Sequence, residues 1–330
     1  MRIGGNSSIA REYGVQLVIL LAVLIGLTAT SPAFRGEGAV FSTLEGFGFL
    51  GVVALGVGVT MIAGELDLSA ASIATLAAVT AIQASDLGLL PALLIPTAVG
   101  LGIGAIQGLV ISGRGINSLV FTVGASVLYQ GLSYIVSGGG PVQLTDFDLS
   151  DALLVRWGPF SPSSVTGIVL FIVIGVALTR TVVGREIFAI GGGRREALAA
   201  GVGLRRPMVT AFALSGGCAA LAGAMAAIRG GSAAPNSFGS LLLTGVAAAL
   251  IGGIALSGGR GSAVHVAIGV VVLSTISAGF AARGSEGYVT ELVTGLVLIG
   301  AVGLQAGTLA LLRRRDRTRA MGLQLAHATH

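Results

Sequence analysis

Six arginines crowd one short interval of an otherwise apolar chain. Arg180, Arg185, Arg194, Arg195, Arg205 and Arg206 lie within residues 180–207, opposed only by Glu186 and Glu196. Between two membrane-length apolar runs, so basic a loop is retained on the cytoplasmic side. Its centre, RREALAAG from Arg194 to Gly201, predicts a short surface helix closed by glycine. Covalent chemistry finds no footing elsewhere. The chain has no HExxH, no CxxC, and no Ser/His/Asp set that fits on one face. His327 and His330 fall in a polar tail, and His265 stands beside a cytoplasmic turn, where a structural role is expected. The single cysteine, Cys218, lies in an apolar run as a small packing residue, so neither a disulfide framework nor a metal cluster can be built. A phosphate-binding Walker A loop needs a lysine. All nineteen basic residues here are Arg, which GC-rich coding explains, so this chain cannot by itself be a P-loop ATPase. The catalytic and metal sets are therefore empty, and no cofactor is expected on the chain.

Carboxylates at bilayer depth are more selective markers, because each costs at least about 2.5–3.5 kcal/mol on insertion scales. Glu65 and Asp67 lie in AGELDLSAAS, between two apolar runs with almost no spacer. This predicts a broken, re-entrant turn with Ser69 capping the next helix. Glu291 opens the last run and is expected at the outer interface. The middle of the bundle is expected to hold no carboxylate. Proton- and sodium-driven transporters commonly carry one there, so the energy should come from outside the chain. Gly100, Gly104 and Gly108 repeat every fourth residue, a packing face for a close helix neighbour.

The elements that must position these residues follow from composition. The chain of 330 residues is 54% hydrophobic and 10% charged, far below the roughly 25% charge of soluble domains. It reads as an all-α polytopic membrane protein. Its net charge of +5 belongs to membrane flanks and not to a nucleic-acid site, since no basic patch is interleaved with aromatics. Ten apolar runs approach the ~20 residues a span needs: about 14–30, 47–63, 69–85, 89–111, 118–137, 163–180, 208–228, 240–257, 263–282 and 289–311. An even count puts both termini on one side. With that side cytoplasmic, fifteen arginines fall inside and only Arg35, Arg156, Arg229 and Arg283 outside. The expected layout is a cytoplasmic segment 1–13, a transmembrane domain 14–311 with an inner loop 181–207, and a basic cytoplasmic tail 312–330. An external loop 138–162 carries Asp146, Asp148, Asp151 and Trp157, and serves either as a partner dock or as a solvated lid. A stretch from Ile111 resembles one from Leu256, each leading an Arg-Gly turn into the next span, as a parallel repeat would.

Four blocks carry a wider resemblance: AGELDLSAASIATLAA, INSLVFTVGASVLYQGLSYIVSGG, the stretch from GREIFAIGGGRREALAAGVGLRRP onward, and GGIALSGGRGS. In this order, over about Gly46 to Leu312, the chain resembles the permease subunits of sugar-type ABC importers, the ribose, xylose and autoinducer-2 class. LSGGR at Leu256–Arg260 spells the nucleotide-sandwiching signature of ABC ATPases, but without a lysine it is not one. The resemblance implies a ten-helix permease, present as two copies or two related subunits. Partner ATPase subunits would bind ATP and Mg, and an extracytoplasmic solute-binding protein would deliver a small polar solute, a monosaccharide above all. It implies further that the loop around Glu196–Gly203 meets the ATPase, through Arg194, Arg195, Glu196, Ala197, Leu198, Gly201 and Gly203. Asn117, Thr122, Gln130 and Asn236, with Tyr129 as a stacking surface, are candidates for the translocation pathway, although each could serve instead in an interhelical hydrogen bond. Two departures from the family pattern lie near that path. Pro235-Asn236 is not followed by an acidic pair, and Asn117 is followed by Ser118 in place of proline. Permeases for branched-chain amino acids or nucleosides, an ion-coupled secondary transporter, and a membrane enzyme or scaffold are the alternatives.

Overall fold

A computed structural model describes residues 9–285, 288, 289, 292–300 and 303. The chain is almost wholly helical, in the order α1 (Ile9–Thr30), α2 (Glu37–Ile62), α3 (Ala70–Gln83), α4 (Leu89–Arg114), α5 (Ser118–Val136), β1 (Val142–Gln143), α6 (Asp148–Leu154), α7 (Pro162–Arg180), α8 (Val182–Gly192), α9 (Arg194–Ala199), α10 (Arg205–Gly230), β2 (Ser232–Ala233), α11 (Leu241–Gly252) and α12 (Ala263–Ala281). Residues 292–300 are also helical. Seven of these helices, α1, α2, α4, α5, α7, α10 and α12, are long and apolar enough to cross a membrane. The molecule is a multi-pass helical membrane protein. Arg2, the 312–330 tail with its arginines, His327, His330 and Glu291 lie outside the described residues.

Two helices, α2 and α10, form the centre, and both are buried over most of their length. Each has 26 residues, about 39 Å at 1.5 Å per residue, longer than the ~30 Å hydrocarbon core. The expected glycine face is used as packing. A Cβ on Gly100 or Gly108 of α4 would stand 2.5 Å and 2.6 Å from the carbonyl oxygens of Gly216 and Met208 on α10, and one on Gly104 would run into that of Phe212. The two helices thus meet backbone to backbone, where dispersion is gained without a side chain between them.

Several boundaries differ from the sequence expectation. Helix α2 begins at Glu37, not near residue 47, because the charge of Glu45, which ended the apolar run, is buried and paired inside the bundle. Helix α11 stops at Gly252, where Gly253 takes a left-handed backbone (φ 104°), and the chain then runs irregularly to Ser262. With 14 and 12 residues, α3 and α11 reach only about 21 Å and 18 Å. The loop 181–207 holds α8 as well as the expected short helix α9. Helix α8 buries Gly184, Ile187, Ile190 and Gly191 on one side, a spacing that the glycines and the arginine between them hide in the sequence. The loop 138–162, expected outside, packs back against the end of α10. Strand β1 pairs antiparallel with β2, and Ser150 of α6 donates to the carbonyl of Arg229 at 2.8 Å. The two Arg-Gly turns of the suspected repeat are alike: positive-φ Gly115 and Gly261 (φ 62° and 124°) precede side-chain caps by Asn117 and Ser262 on two 19-residue helices.

Candidate functional site

The site is built on the interruption between α2 and α3. Non-helical backbone is tolerated at membrane depth only where its polar groups are met, and here they are. Glu65 N–H bonds Thr60 O at 2.9 Å, closing α2, and Ile62 O accepts from Gly259 N–H at 2.8 Å. Leu68 N–H donates to Thr122 Oγ1 at 3.1 Å. Ser69 does not cap α3 as expected; its hydroxyl and its backbone N–H both donate to Asp67 Oδ1, at 2.6 Å and 3.0 Å.

Asp67 is fully buried. Its second oxygen accepts from Ser215 Oγ at 2.7 Å, near the middle of α10. A carboxyl group therefore does sit at mid-bundle, against the sequence expectation, because the turn after α2 brings the chain back towards the bundle centre before α3 starts. Gln107 of α4 extends the network, its Nε2 donating to Ser69 Oγ at 2.9 Å and to Tyr129 Oη at 3.0 Å. Four helices, α3, α4, α5 and α10, are thus tied at one level. A satisfied network in a low dielectric fixes one arrangement of its members.

Below it opens a polar cavity of about 650 Å³. Four segments at chain breaks wall it: Ala63–Leu66 after α2, Gly115–Leu119 from the α4–α5 turn into the start of α5, Ile190–Arg194 from the end of α8 to the start of α9, and Leu256–Ser257 after α11. The two repeat-like stretches therefore meet across one space. The glycine runs allow this convergence. Gly258 and Gly259 are left-handed (φ 77° and 70°), and a Cβ on either would strike the backbone of Gly64 or Gly192, at 2.6 Å and 2.5 Å. Glu65 and Arg194 form an ion pair across the cavity wall. The remaining lining offers the side chains of Asn117, Ser118 and Ser257 and backbone donors and acceptors, groups that hydrogen-bond a neutral polar solute without holding it tightly. Among the described residues no cluster of His, Cys, Asp and Glu could hold a metal ion.

Four of the five pathway candidates are strung along α5 and its cap, the fifth, Asn236, lies in the turn after β2, and the five do not form one pocket. Asn117 is exposed at the cavity rim, where its side chain caps α5 by accepting from Leu119 N–H at 2.9 Å. Thr122 is buried and donates to Ser118 O at 2.8 Å while holding the break. Tyr129 belongs to the Asp67 network. Gln130 donates to Pro235 O in the turn after β2 that also carries the exposed Asn236. On α9, Ala197 packs inward, whereas Arg195, Glu196 and Leu198, and Gly201 and Gly203 in the turn after it, are exposed. Gly201 (φ 82°) ends the helix, its N–H on Leu198 O at 3.0 Å. His265 is structural as expected: its Nδ1 lies 2.8 Å from Ser262 Oγ and its ring packs on Tyr13.

Sequence reading missed Gln107 and Ser215, though a lone Gln on a glycine-lined helix face was a usable signal. It also missed a second cluster, at the C-terminal end of α10. Glu45 accepts from Ser161 Oγ, and Arg229 Nε lies 2.7 Å from Glu45 Oε2, at an angle outside hydrogen-bond geometry, so the contact is an ion pair only. Paired carboxylates thus stand in the first half of α2 and in the break after it.

Comparison with known proteins gives a consistent picture. The family described as branched-chain amino acid transport system / permease component matches residues 39–302. The L-arabinose transport system permease protein AraH of Escherichia coli (strain K12) is 32% identical over 300 residues, 88% of this chain and 89% of that protein. The ribose import permease protein RbsC of Bacillus subtilis (strain 168) is 29% identical over 299 residues, 89% of this chain and 92% of that protein. The D-allose transport system permease protein AlsC of Escherichia coli (strain K12) is 24% identical over 296 residues, 89% and 91%. No solved structure matches the chain.

Proposed function

This chain belongs to the family of branched-chain amino acid transport system permease components, and from that premise we propose that it is the permease of an ATP-driven ABC importer of a monosaccharide. The single observation that carries the reading is the polar cavity walled by four chain breaks, with the exposed helix α9 at its edge. Hydroxyl, amide and peptide groups suit a polyhydroxylated neutral solute better than a charged one, and relatives named for L-arabinose, ribose and D-allose support a pentose or hexose.

In this proposal ten spans cross a bacterial inner membrane with both termini cytoplasmic. The apolar helices α3 and α11 and the helical residues 292–300 supplement the seven long spans. The permease domain covers 14–311, with the loop 181–207 inside and 138–162 outside, between a cytoplasmic 1–13 segment and a basic 312–330 tail. Partner ATPase subunits bind ATP and Mg and seat against α9 through Arg195, Glu196, Leu198, Gly201 and Gly203, with Arg194 and Ala197 fixing the helix to the bundle. A solute-binding protein delivers from outside, and a second permease copy completes the pathway along Asn117, Thr122, Tyr129, Gln130 and Asn236. Alternating access then follows from movement of α9 and the breaks beside it. No step needs covalent chemistry on this chain.

Reconstitution in liposomes with the cognate ATPase and binding protein tests the reading. Labelled arabinose, ribose or allose should enter only with ATP. Uptake driven by an ion gradient without the ATPase would overturn it, and ATP-dependent uptake of leucine instead of sugar would favour the amino-acid reading that the family description carries.

A further inference from the structure

The structure assigns a linking role to the Glu65–Arg194 ion pair: it transmits movement of α9 to the break between α2 and α3. The assignment rests on the importer reading of α9. Arg194 is the first residue of α9, and its side chain is 44% exposed, whereas that of Glu65 is 8% exposed. One partner therefore stands on the exposed loop and the other in the cavity wall. The segment around Glu65 is anchored on both sides. Its own N–H is bonded to Thr60 of α2, and two residues on, Asp67 is bonded to Ser215 of α10.

The other contacts between the α8–α9 junction and the break are of a different kind. Gly191 faces Gly64 backbone to backbone, with no side chain on either. Such surfaces can slide past one another, and an ion pair resists separation in a way they do not. Leaving Glu65 in its nearly closed site without a cation is unfavourable, so the break should follow Arg194 when α9 is displaced. Arg195 and Glu196, the neighbouring charges on α9, are exposed and leave Arg194 as the cation that reaches inward. The cavity wall opposite Asn117 would then shift with the helix.

The test uses the assembled complex, comparing wild type with Glu65→Gln, Arg194→Gln and the double variant, and reads solute moved per ATP hydrolysed. Copurification of the ATPase checks assembly. Each single variant should lower the ratio by roughly 5- to 150-fold, the span of ordinary coupling free energies. The double variant should be no worse than the poorer single one, because the two side chains act as one unit. Exchange of the charges, Glu65→Arg with Arg194→Glu, should recover part of the loss. An unchanged ratio in both single variants, or losses that multiply in the double variant, would overturn the link. If Glu65→Gln does not accumulate in the membrane, Arg194→Gln decides alone, since it alters the half-exposed partner. Wild type in the same assay separates the two ideas: no ATP-dependent uptake sinks the importer reading and the link with it, whereas normal wild-type uptake with unaltered variants sinks the link only.

Discussion

Asp67 shows how one side chain can organise a region without any reaction to perform. Its two oxygens accept from Ser69 and Ser215, and Gln107 and Tyr129 continue the chain of bonds. Asp67→Asn keeps the shape and can keep part of the network, whereas Asp67→Leu strands the serine hydroxyls. Each buried polar group left without a partner costs about 1–3 kcal/mol. In detergent melts, Asp67→Leu should therefore unfold well below Asp67→Asn, and equal midpoints would show that the network contributes little. The Glu45–Arg229 pair behaves differently. Arg229 is a third exposed, so water can reach it when Glu45 is removed, whereas loss of Arg229 leaves the nearly closed-off Glu45 without its cation and should be the more costly change. Arg229→Ala is expected to destabilise by about 3 kcal/mol, the lower end of the cost of breaking a buried pair, and more than Glu45→Ala in the same melt. Sequence reading found the carboxylate of Asp67 but not its depth, because depth depends on where the turn after α2 reverses the chain.

At the scale of the element, the α4–α10 seam and α9 make opposite demands. The seam must be narrow. Gly104→Ala sets a methyl against the Phe212 carbonyl, and overpacking of this kind costs typically about 1–3 kcal/mol. Gly102→Ala, on the same helix with open space around it, is the control and should melt like wild type. If both variants melt alike, the seam is not a close contact. The Gly-xxx-Gly spacing made this seam legible before any coordinates, since helical periodicity alone puts Gly100, Gly104 and Gly108 on one face. Helix α9 must instead be a stiff, presented piece. Glu196→Pro, within its first turn, should leave membrane insertion intact but lower transport by about tenfold or more, as loss of a coupling contact implies; normal uptake would count against the role of this helix. Its neighbour α8 escaped sequence reading because two of its four buried positions are glycine, which carries no hydrophobic signal.

For the whole molecule, the bundle is held by long central helices and interrupted by short ones. The breaks do not weaken it, because Thr122, Thr60 and Ile62 receive or supply the hydrogen bonds that the helices cannot. Transport should therefore respond to the breaks more than to the spans. Gly259→Val, which forces a left-handed backbone onto a branched residue and drives a side chain into Gly192, should reduce ATP-dependent uptake more than a Val at exposed Gly131 of α5. Equal uptake by both would mean that the glycine junction is not needed for the cycle. Sequence alone determined the class of molecule. Apolar run length follows from the thickness of the bilayer, which acts on local composition. What only the tertiary structure decided is which residues meet. Glu65 with Arg194, Asp67 with Ser215 and Glu45 with Arg229 are joined across 129, 148 and 184 positions of chain respectively. No periodicity reaches that far; those pairings exist because glycine seams let the helices approach closely enough for the side chains to bond.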